Sequence, residues 1–479
     1  MEFSLTQLFG LHSAILLVVA LLFVRSLPLS TRLLTAMVHM TVPAIILVKG
    51  NQSAFYLVDF IAPLFALYAL FAKHEAEEAD ASEVRWAMTA LLLLVPICTG
   101  ALVFGMSASG PSTLRDMQEA ALFFVRNLAL LSVFVFMTRT SMTGDRALRL
   151  IQLVLLLSSV SAGMGMLSYF GPFNFAVFEQ LELQKNAEAA EFVHANRIGS
   201  GFLGLFRASV GVWYACVVLV AVACLSVLKG FYRWVAVVSI ALGIGVVLLS
   251  YSRAGVVGLA VGLLVMALLG GSMGQRMTAI GATFVAGLWL VLQSDVIGNR
   301  LGSIVSADDD ASAGRLHVWA RSFALFKDDI MLLLFGAGPA SRGRVFELVG
   351  AYGAHNEYID VIFRMGILGP ILVATIICLV ARALWIRRAL PDASARAICS
   401  GVFAALAANS VMGLTQDHLV QDYAAHISGV FVYFLYGAGL GIRTQSVAGA
   451  AATPPATAQP WQPPNLMGAR LSSEHGSRA

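Results

Sequence analysis

The sequence predicts an all-α polytopic membrane protein with about 12 transmembrane helices and one large extramembrane loop containing amphipathic helices. Three observations carry this. The 479 residues are 58% hydrophobic and only 12% charged, about half the charge of a soluble globular chain. The mean hydropathy is +0.81. The apolar residues fall in runs approaching the roughly 20 residues that cross a bilayer as a helix, without the period-two alternation of a membrane barrel. A soluble enzyme and a secreted disulfide scaffold are thereby excluded. The formal charge of +4 is small for this length and its basic residues are scattered through loops, which excludes nucleic acid as a partner. Cys98, Cys216, Cys224, Cys378 and Cys399 all lie in apolar stretches without CxxC spacing, as buried thiols do.

In order, the candidate spans are Leu8 to Val24, Leu33 to Val48, Phe55 to Ala72, Trp86 to Phe104, Ala120 to Met137, Leu148 to Phe170 and Ala208 to Val227. Trp234 to Leu249, Ala254 to Leu269, Met277 to Leu292, Ile362 to Trp385, Ala397 to Met412 and Ala424 to Leu440 follow. Short loops rich in Lys and Arg stay cytoplasmic during insertion. Arg25, Arg32, Arg139, Arg146, Arg149, Lys229, Arg233, Arg276, Arg382, Arg387, Arg388, Arg396 and Arg443 mark that side. The two long loops, Gly171 to Arg207 and Ser294 to Asp360, then face outward, and substrate chemistry is expected there. The N-terminus lacks the basic region of a cleaved signal peptide, so the first apolar stretch is expected to remain as an anchor. Residues 1–443 form the expected membrane domain, and the Ala-, Pro-, Ser- and Gln-rich residues 444–479 a disordered cytoplasmic tail. No Walker loop or Rossmann fingerprint is present, which argues against ATP-driven pumping.

The stretch Ala354-His355-Asn356-Glu357-Tyr358-Ile359-Asp360 runs from Gly353 straight into a predicted helix. A histidine at a helix start feels the positive end of the dipole, which keeps the imidazole neutral and able to accept a proton. A helix-capping histidine at the membrane interface is the plainer alternative. Arg253, in the tight Ser250-Tyr251-Ser252-Arg253-Ala254-Gly255 turn, is held at the membrane surface and suits a lipid phosphate. Arg315 begins an amphipathic helix whose apolar stripe is Leu316, Trp319, Phe323 and Phe326. The guanidinium fork grips phosphate oxygens bidentately and stays charged at any physiological pH. A snorkelling helix-end arginine and a solvated helix face are the respective alternatives.

Arg197 and Arg207 add positive charge to the first outer loop, largely offset by Glu179, Glu182, Glu188 and Glu191. Arg126 lies inside an apolar run, where a charge is costly unless paired or functional, and Asp59 is its expected ion-pair partner. Asp308, Asp309 and Asp310 form an acidic run that reads as a solvated helix cap, with divalent-metal binding the less favoured alternative. No His/Cys cluster, GxSxG elbow or HExxH site occurs, and neither metal nor cofactor is expected.

From Arg197 to Leu440 the chain resembles the O-antigen ligase and polymerase superfamily of bacterial membrane glycosyltransferases. The resemblance rests on the SxSRAG turn at Ser250 to Gly255, GRLxxW at Gly314 to Trp319, FGAGP at Phe335 to Pro339 and HNEYIDVIFRMGILGP at His355 to Pro370. Their order and their placement on one predicted face distinguish the match. The resemblance implies a GT-C-like fold in the bacterial inner membrane, with the active site facing the periplasm. It also implies transfer of a glycan from undecaprenyl diphosphate to a sugar of the lipid A core. By position, His355 resembles the catalytic base and Arg253 and Arg315 the diphosphate-binding pair; Arg197, Arg207, Asn356, Tyr358 and Arg126 are further substrate-binding candidates apart from that carry-over, with the ion pair the favoured reading of Arg126. Two arginines can replace a metal ion in neutralising the diphosphate, and attack opposite the leaving group inverts the anomeric carbon. An O-antigen polymerase and a protein O-oligosaccharyltransferase share the His-Asn pattern. A lipid-linked oligosaccharide flippase is the non-enzymatic alternative, although transporters place their polar groups along a midplane pathway instead of at one face.

Overall fold

The computed structural model describes residues 5–40, 43–46, 54–71, 90, 114–140, 142–170, 207–250, 252–269, 310–338, 356–414 and 426–443, with scattered positions between 273 and 283. Its helices are α1 (Leu5–Leu22), α2 (Leu29–Met40), α3 (Leu57–Phe71), α4 (Leu114–Arg139), α5 (Gly144–Phe170), α6 (Arg207–Cys224), α7 (Gly230–Leu249) and α8 (Arg253–Leu269). They continue with α9 (Asp310–Asp328), α10 (Ile330–Phe335), α11 (Glu357–Met365), α12 (Leu368–Arg387), α13 (Ala393–Met412) and α14 (His426–Leu440).

Among the described residues four helical stretches are long and apolar enough to cross a membrane: Gly144–Leu167, Gly230–Leu249, Leu368–Arg387 and Ala393–Met412. Shorter apolar helices lie at His12–Leu22, Leu57–Phe71, Val210–Cys224, Ala254–Leu269 and Gly429–Leu440. The expected spans at Trp86 to Phe104 and Met277 to Leu292 fall largely outside the described residues, as do the first long loop up to Arg207 and the tail from Thr444.

Two expected spans differ from the structure. The run Leu33 to Val48 is not one helix: α2 ends at Met40, and the chain enters an antiparallel ribbon of β1 (Pro43–Ile46) and β2 (Ala54–Tyr56). Pro43 cannot donate to a continuing helix and disfavours helical geometry before it, while Ile45 and Ile46 are β-branched. This ribbon is a small departure from the all-helical expectation. The run from Ile362 is interrupted at Gly366, whose φ of +69° ends α11, and the span begins anew at Leu368.

Helix α13 lies at the centre, packed against α5, α6, α8, α12 and α14. Lipid chains are as apolar as leucine, so close van der Waals contact is what holds spans together, and small residues permit it. Gly401 of α13 faces the Val220 backbone and the Ala223 side chain of α6. Gly255 of α8 faces the backbone of Gly211 in α6 at 2.8 Å from a notional Cβ. Buried aromatics fill the wider gaps: Trp213 of α6 stacks on Phe431 of α14 at 3.9 Å, and the His39 ring of α2 meets both edge-on. One buried polar group links three helices of the bundle. Asn409 of α13 donates to the Tyr436 hydroxyl at 3.2 Å and to the Cys216 sulfur at 3.4 Å.

The contacts also fix helix directions. Gly211 lies beside Gly255 and Leu219 beside Gly262, so α6 and α8 run parallel, whereas Met412 against Gly258 and Gly401 against Ala223 make α13 antiparallel to both. One end of the bundle therefore gathers the C-termini of α6, α12 and α14 with the N-terminus of α13. The C-terminus of α4 joins it through Met142, whose N–H donates to Gly441 at 2.9 Å and whose carbonyl accepts from Arg443 at 2.9 Å. Lys229, Arg387, Arg388, Arg396 and Arg443 lie at that end. The opposite end presents the N-termini of α6 and α8 and the C-terminus of α13.

Candidate active site

At that opposite end Arg207 and Arg253 head two neighbouring parallel helices, since Gly211, one turn into α6, packs on Ser252 and Gly255. The turn before α8 is built from its serines. Ser250 donates to the Val247 carbonyl at 2.7 Å, its hydroxyl accepts from the Ser252 amide at 3.3 Å, and the Ser252 hydroxyl accepts from the Gly255 amide at 3.1 Å. Serines of this kind satisfy free amides of a new helix, which leaves its first residue, Arg253, at the dipole's positive end.

The N-terminus of α11 docks on the same end through α13. The Glu357 amide donates to the Gly413 carbonyl at 2.8 Å, and the Tyr358 hydroxyl donates to the Ser410 carbonyl at 2.8 Å. Asn356 is the buried cap of α11: its side chain accepts from the Tyr358 amide at 3.0 Å and the Ile359 amide at 3.3 Å. Asp360 reaches back one turn, its carboxylate accepting from the Asn356 amide at 3.3 Å. That amide belongs to the peptide bond joining His355 to Asn356, so Asp360 fixes the peptide plane from which His355 departs. Burial, and then the neighbouring Glu357 carboxylate, raise the Tyr358 phenol above its ordinary value and keep it a donor.

A second apolar cluster, separate from the bundle core, joins the other motif segments. Phe326 of α9, Leu332 of α10, Ala337, and Ile359 and Phe363 of α11 are buried together, with Val318 and Trp319 packed on them. GRLxxW, FGAGP and the HNEYID segment thus share one small core. Two backbone bonds lock it: the Ala337 amide to the Phe363 carbonyl at 2.6 Å, and the Ile367 amide to the Leu333 carbonyl at 2.7 Å. The backbones approach this closely because Gly336 and Gly366, with φ of +71° and +69°, face each other.

His355 and Arg197 lie outside the described residues. Arg315 lies in the second turn of α9, four residues before Trp319. Of the acidic run, only Asp310, which opens α9, is described. The α6 and α8 starts bearing Arg207 and Arg253 and the α11 start bearing Asn356 and Tyr358 lie at the same end of the bundle, where α13 finishes. Arg126 is buried in α4; α3, with buried Asp59, packs along α4, as the expected ion pair requires. Arg364, at the far end of α11, sits 5.6 Å over the Phe123 ring one turn from Arg126. Reading the sequence passed over Glu357 and Asp360 as separate groups, yet both are buried; acids in the first turn of a helix were the available signal.

The fold and this arrangement define a helical membrane protein whose charged and capping motifs converge on one end of the bundle. Residues 238–374, from the middle of α7 into α12, match the O-antigen ligase family model, which supports membership of the O-antigen ligase superfamily. No curated protein matches the chain. The family supports a ligase- or polymerase-type function, a glycosyl-transfer type of enzyme, and lipid-linked polysaccharide substrates in the membrane.

Proposed function

We propose that the protein is an O-antigen ligase that transfers O-antigen glycan from undecaprenyl diphosphate to the lipid A-core oligosaccharide at the periplasmic face of the inner membrane. The observation that carries this reading is that the α8 N-terminal half, headed by Arg253, and the Asn356-capped start of α11, which follows His355 directly, both pack on the C-terminal end of α13. In this mechanism Arg253 and Arg315 neutralise the diphosphate, and His355 takes the proton of the acceptor hydroxyl as it attacks the anomeric carbon from the opposite face. The carbon–oxygen bond to the diphosphate breaks with inversion, and undecaprenyl diphosphate departs. Arg197, Arg207, Asn356 and Tyr358 line the substrate approach, Arg126 pairs with Asp59, and no metal takes part.

The test is transfer by purified protein from undecaprenyl-diphosphate-linked O-antigen to rough lipopolysaccharide, with EDTA and without ATP, comparing wild type with His355→Ala. Capped lipopolysaccharide from wild type alone supports the reading. Lengthening of the lipid-linked glycan, or modification of an added pilin, would replace it with a polymerase or a protein transferase. Glycan-lipid movement that persists in His355→Ala, with transfer to no acceptor, would favour a transporter.

A further inference from the structure

Helix α10 and the adjoining turn of α9 carry an apolar face that is left exposed among the described residues. Ile330, Met331, Leu334 and Phe335 are 55%, 61%, 40% and 46% exposed, and Phe323 of α9 is 57% exposed. On the other side of α10, Leu332 is buried in the small core shared with α11. A contiguous group of large exposed apolar side chains marks an interaction site.

The position of this face identifies its occupant. The Ile367 amide donates to the Leu333 carbonyl at 2.7 Å, which pins α10 beside the first residue of the spanning helix α12. Along α12 the residues Leu368, Ile371, Thr375, Cys378, Arg382 and Trp385 are all exposed, and their spacing of three or four places them on one stripe. In a helix that crosses a membrane, such a stripe faces lipid, with arginine and tryptophan at its end suited to the headgroup level. The exposed face of α10 continues the apolar beginning of this stripe. Lys327, Asp328 and Asp329 stand immediately before α10, and the Asp329 side chain caps it by accepting from the Met331 and Leu332 amides, each at 3.0 Å. Charged cap followed by apolar turn is the pattern of a segment lying in the interface plane.

We propose that α10, with Phe323, is embedded among bulk bilayer lipids at the boundary of headgroups and acyl chains, and that it anchors the α9–α11 cluster to the membrane surface. The proposal rests on the spanning character of α12 and not on the ligase reading, so loss of one leaves the other standing. Since α10 is bonded to both Ile367 and the small core, this anchor fixes the height of the α11 start above the bilayer.

The experiment places a nitroxide at Met331→Cys in full-length protein whose native cysteines are replaced by alanine, reconstituted in phosphatidylcholine vesicles without any glycan donor. Collision with oxygen is compared with collision with a water-soluble nickel chelate, using labels at Lys327→Cys and Ile371→Cys as aqueous and lipid references. The expected oxygen-to-nickel ratio at 331 is several-fold above that at 327 and close to that at 371. A ratio matching 327 overturns the proposal. A label shielded from both reagents also overturns it and assigns the face to a second protein copy; a lipid signature that arises only on adding polyprenyl diphosphate assigns it to the donor's chain. Leu334→Cys reports the same face should Met331→Cys fail to fold.

Discussion

Gly366→Ala is expected to separate the motif segments that the small core joins. At φ +69° and ψ −168° this residue occupies a region essentially reserved for glycine, and alanine there costs about 1–3 kcal/mol. A Cβ would also come to 2.6 Å from the Phe335 amide nitrogen and would press on the Leu334 carbonyl, both backbone atoms that cannot swing aside. Relieving that clash pulls α10 from α11 and lengthens the Ala337–Phe363 and Ile367–Leu333 bonds, each worth about 1 kcal/mol. The combined effect, about 3–5 kcal/mol, corresponds to roughly two to three and a half orders of magnitude in the local opening equilibrium. Hydrogen exchange by mass spectrometry in nanodiscs reads this directly at the Ala337 and Ile367 amides, with glycan transfer measured on the same preparation. Exchange at these amides should accelerate and transfer fall, while exchange in α13 stays unchanged. Gly163→Ala in α5 is the control, since nothing lies within 4 Å of its Cβ, and helix propensity favours alanine there by up to about 1 kcal/mol. Unchanged exchange at Ala337 and Ile367 in Gly366→Ala would refute the reasoning.

Asn356→Ala removes the α11 cap at a cost of about 1 kcal/mol and should lower kcat for transfer more than it raises KM; Asn356→Ser, which retains an acceptor oxygen, should restore most of the rate. Tyr358→Phe leaves the Ser410 carbonyl without its donor and should destabilise the protein by about 1 kcal/mol, measurable as a lower Tm. Because the folded Tyr358 holds its proton more tightly than the unfolded chain does, its contribution is constant through neutral pH. It declines as pH rises past the ordinary tyrosine value, an alkaline slope that Tyr358→Phe should lack. Arg126→Ala should reduce the yield of folded protein by leaving buried Asp59 uncompensated, and a well-folded but inactive variant would assign Arg126 to substrate instead.

The helices that the sequence revealed best were those whose cause is local. Runs of apolar residues of sufficient length produce α5, α7 and α13 whatever surrounds them. Composition misled at Val48 and at Ile362, because hydropathy is blind to a proline that ends a helix and to a glycine that breaks one. In the candidate site, Asn356 and Tyr358 entered as substrate-binding candidates in the stretch after His355, and the structure shows the one capping α11 and the other bonded to Ser410; Asp360 escaped notice because its part is played through a backbone amide.

By itself the sequence determined a membrane-embedded, helical chain with four motif segments in a fixed order, since hydrophobicity and residue chemistry are properties of the chain. Only tertiary structure decided that the α6, α8 and α11 starts share the end of the bundle where α13 finishes, and that α9, α10 and α11 share one core. These segments are separated by many residues and meet through glycine-to-backbone contacts and lone hydrogen bonds, which leave no periodic trace in a sequence. Convergence of that kind arises from packing in three dimensions, where α13 runs antiparallel to its neighbours and delivers the Ser410 and Gly413 carbonyls to the helix that follows His355.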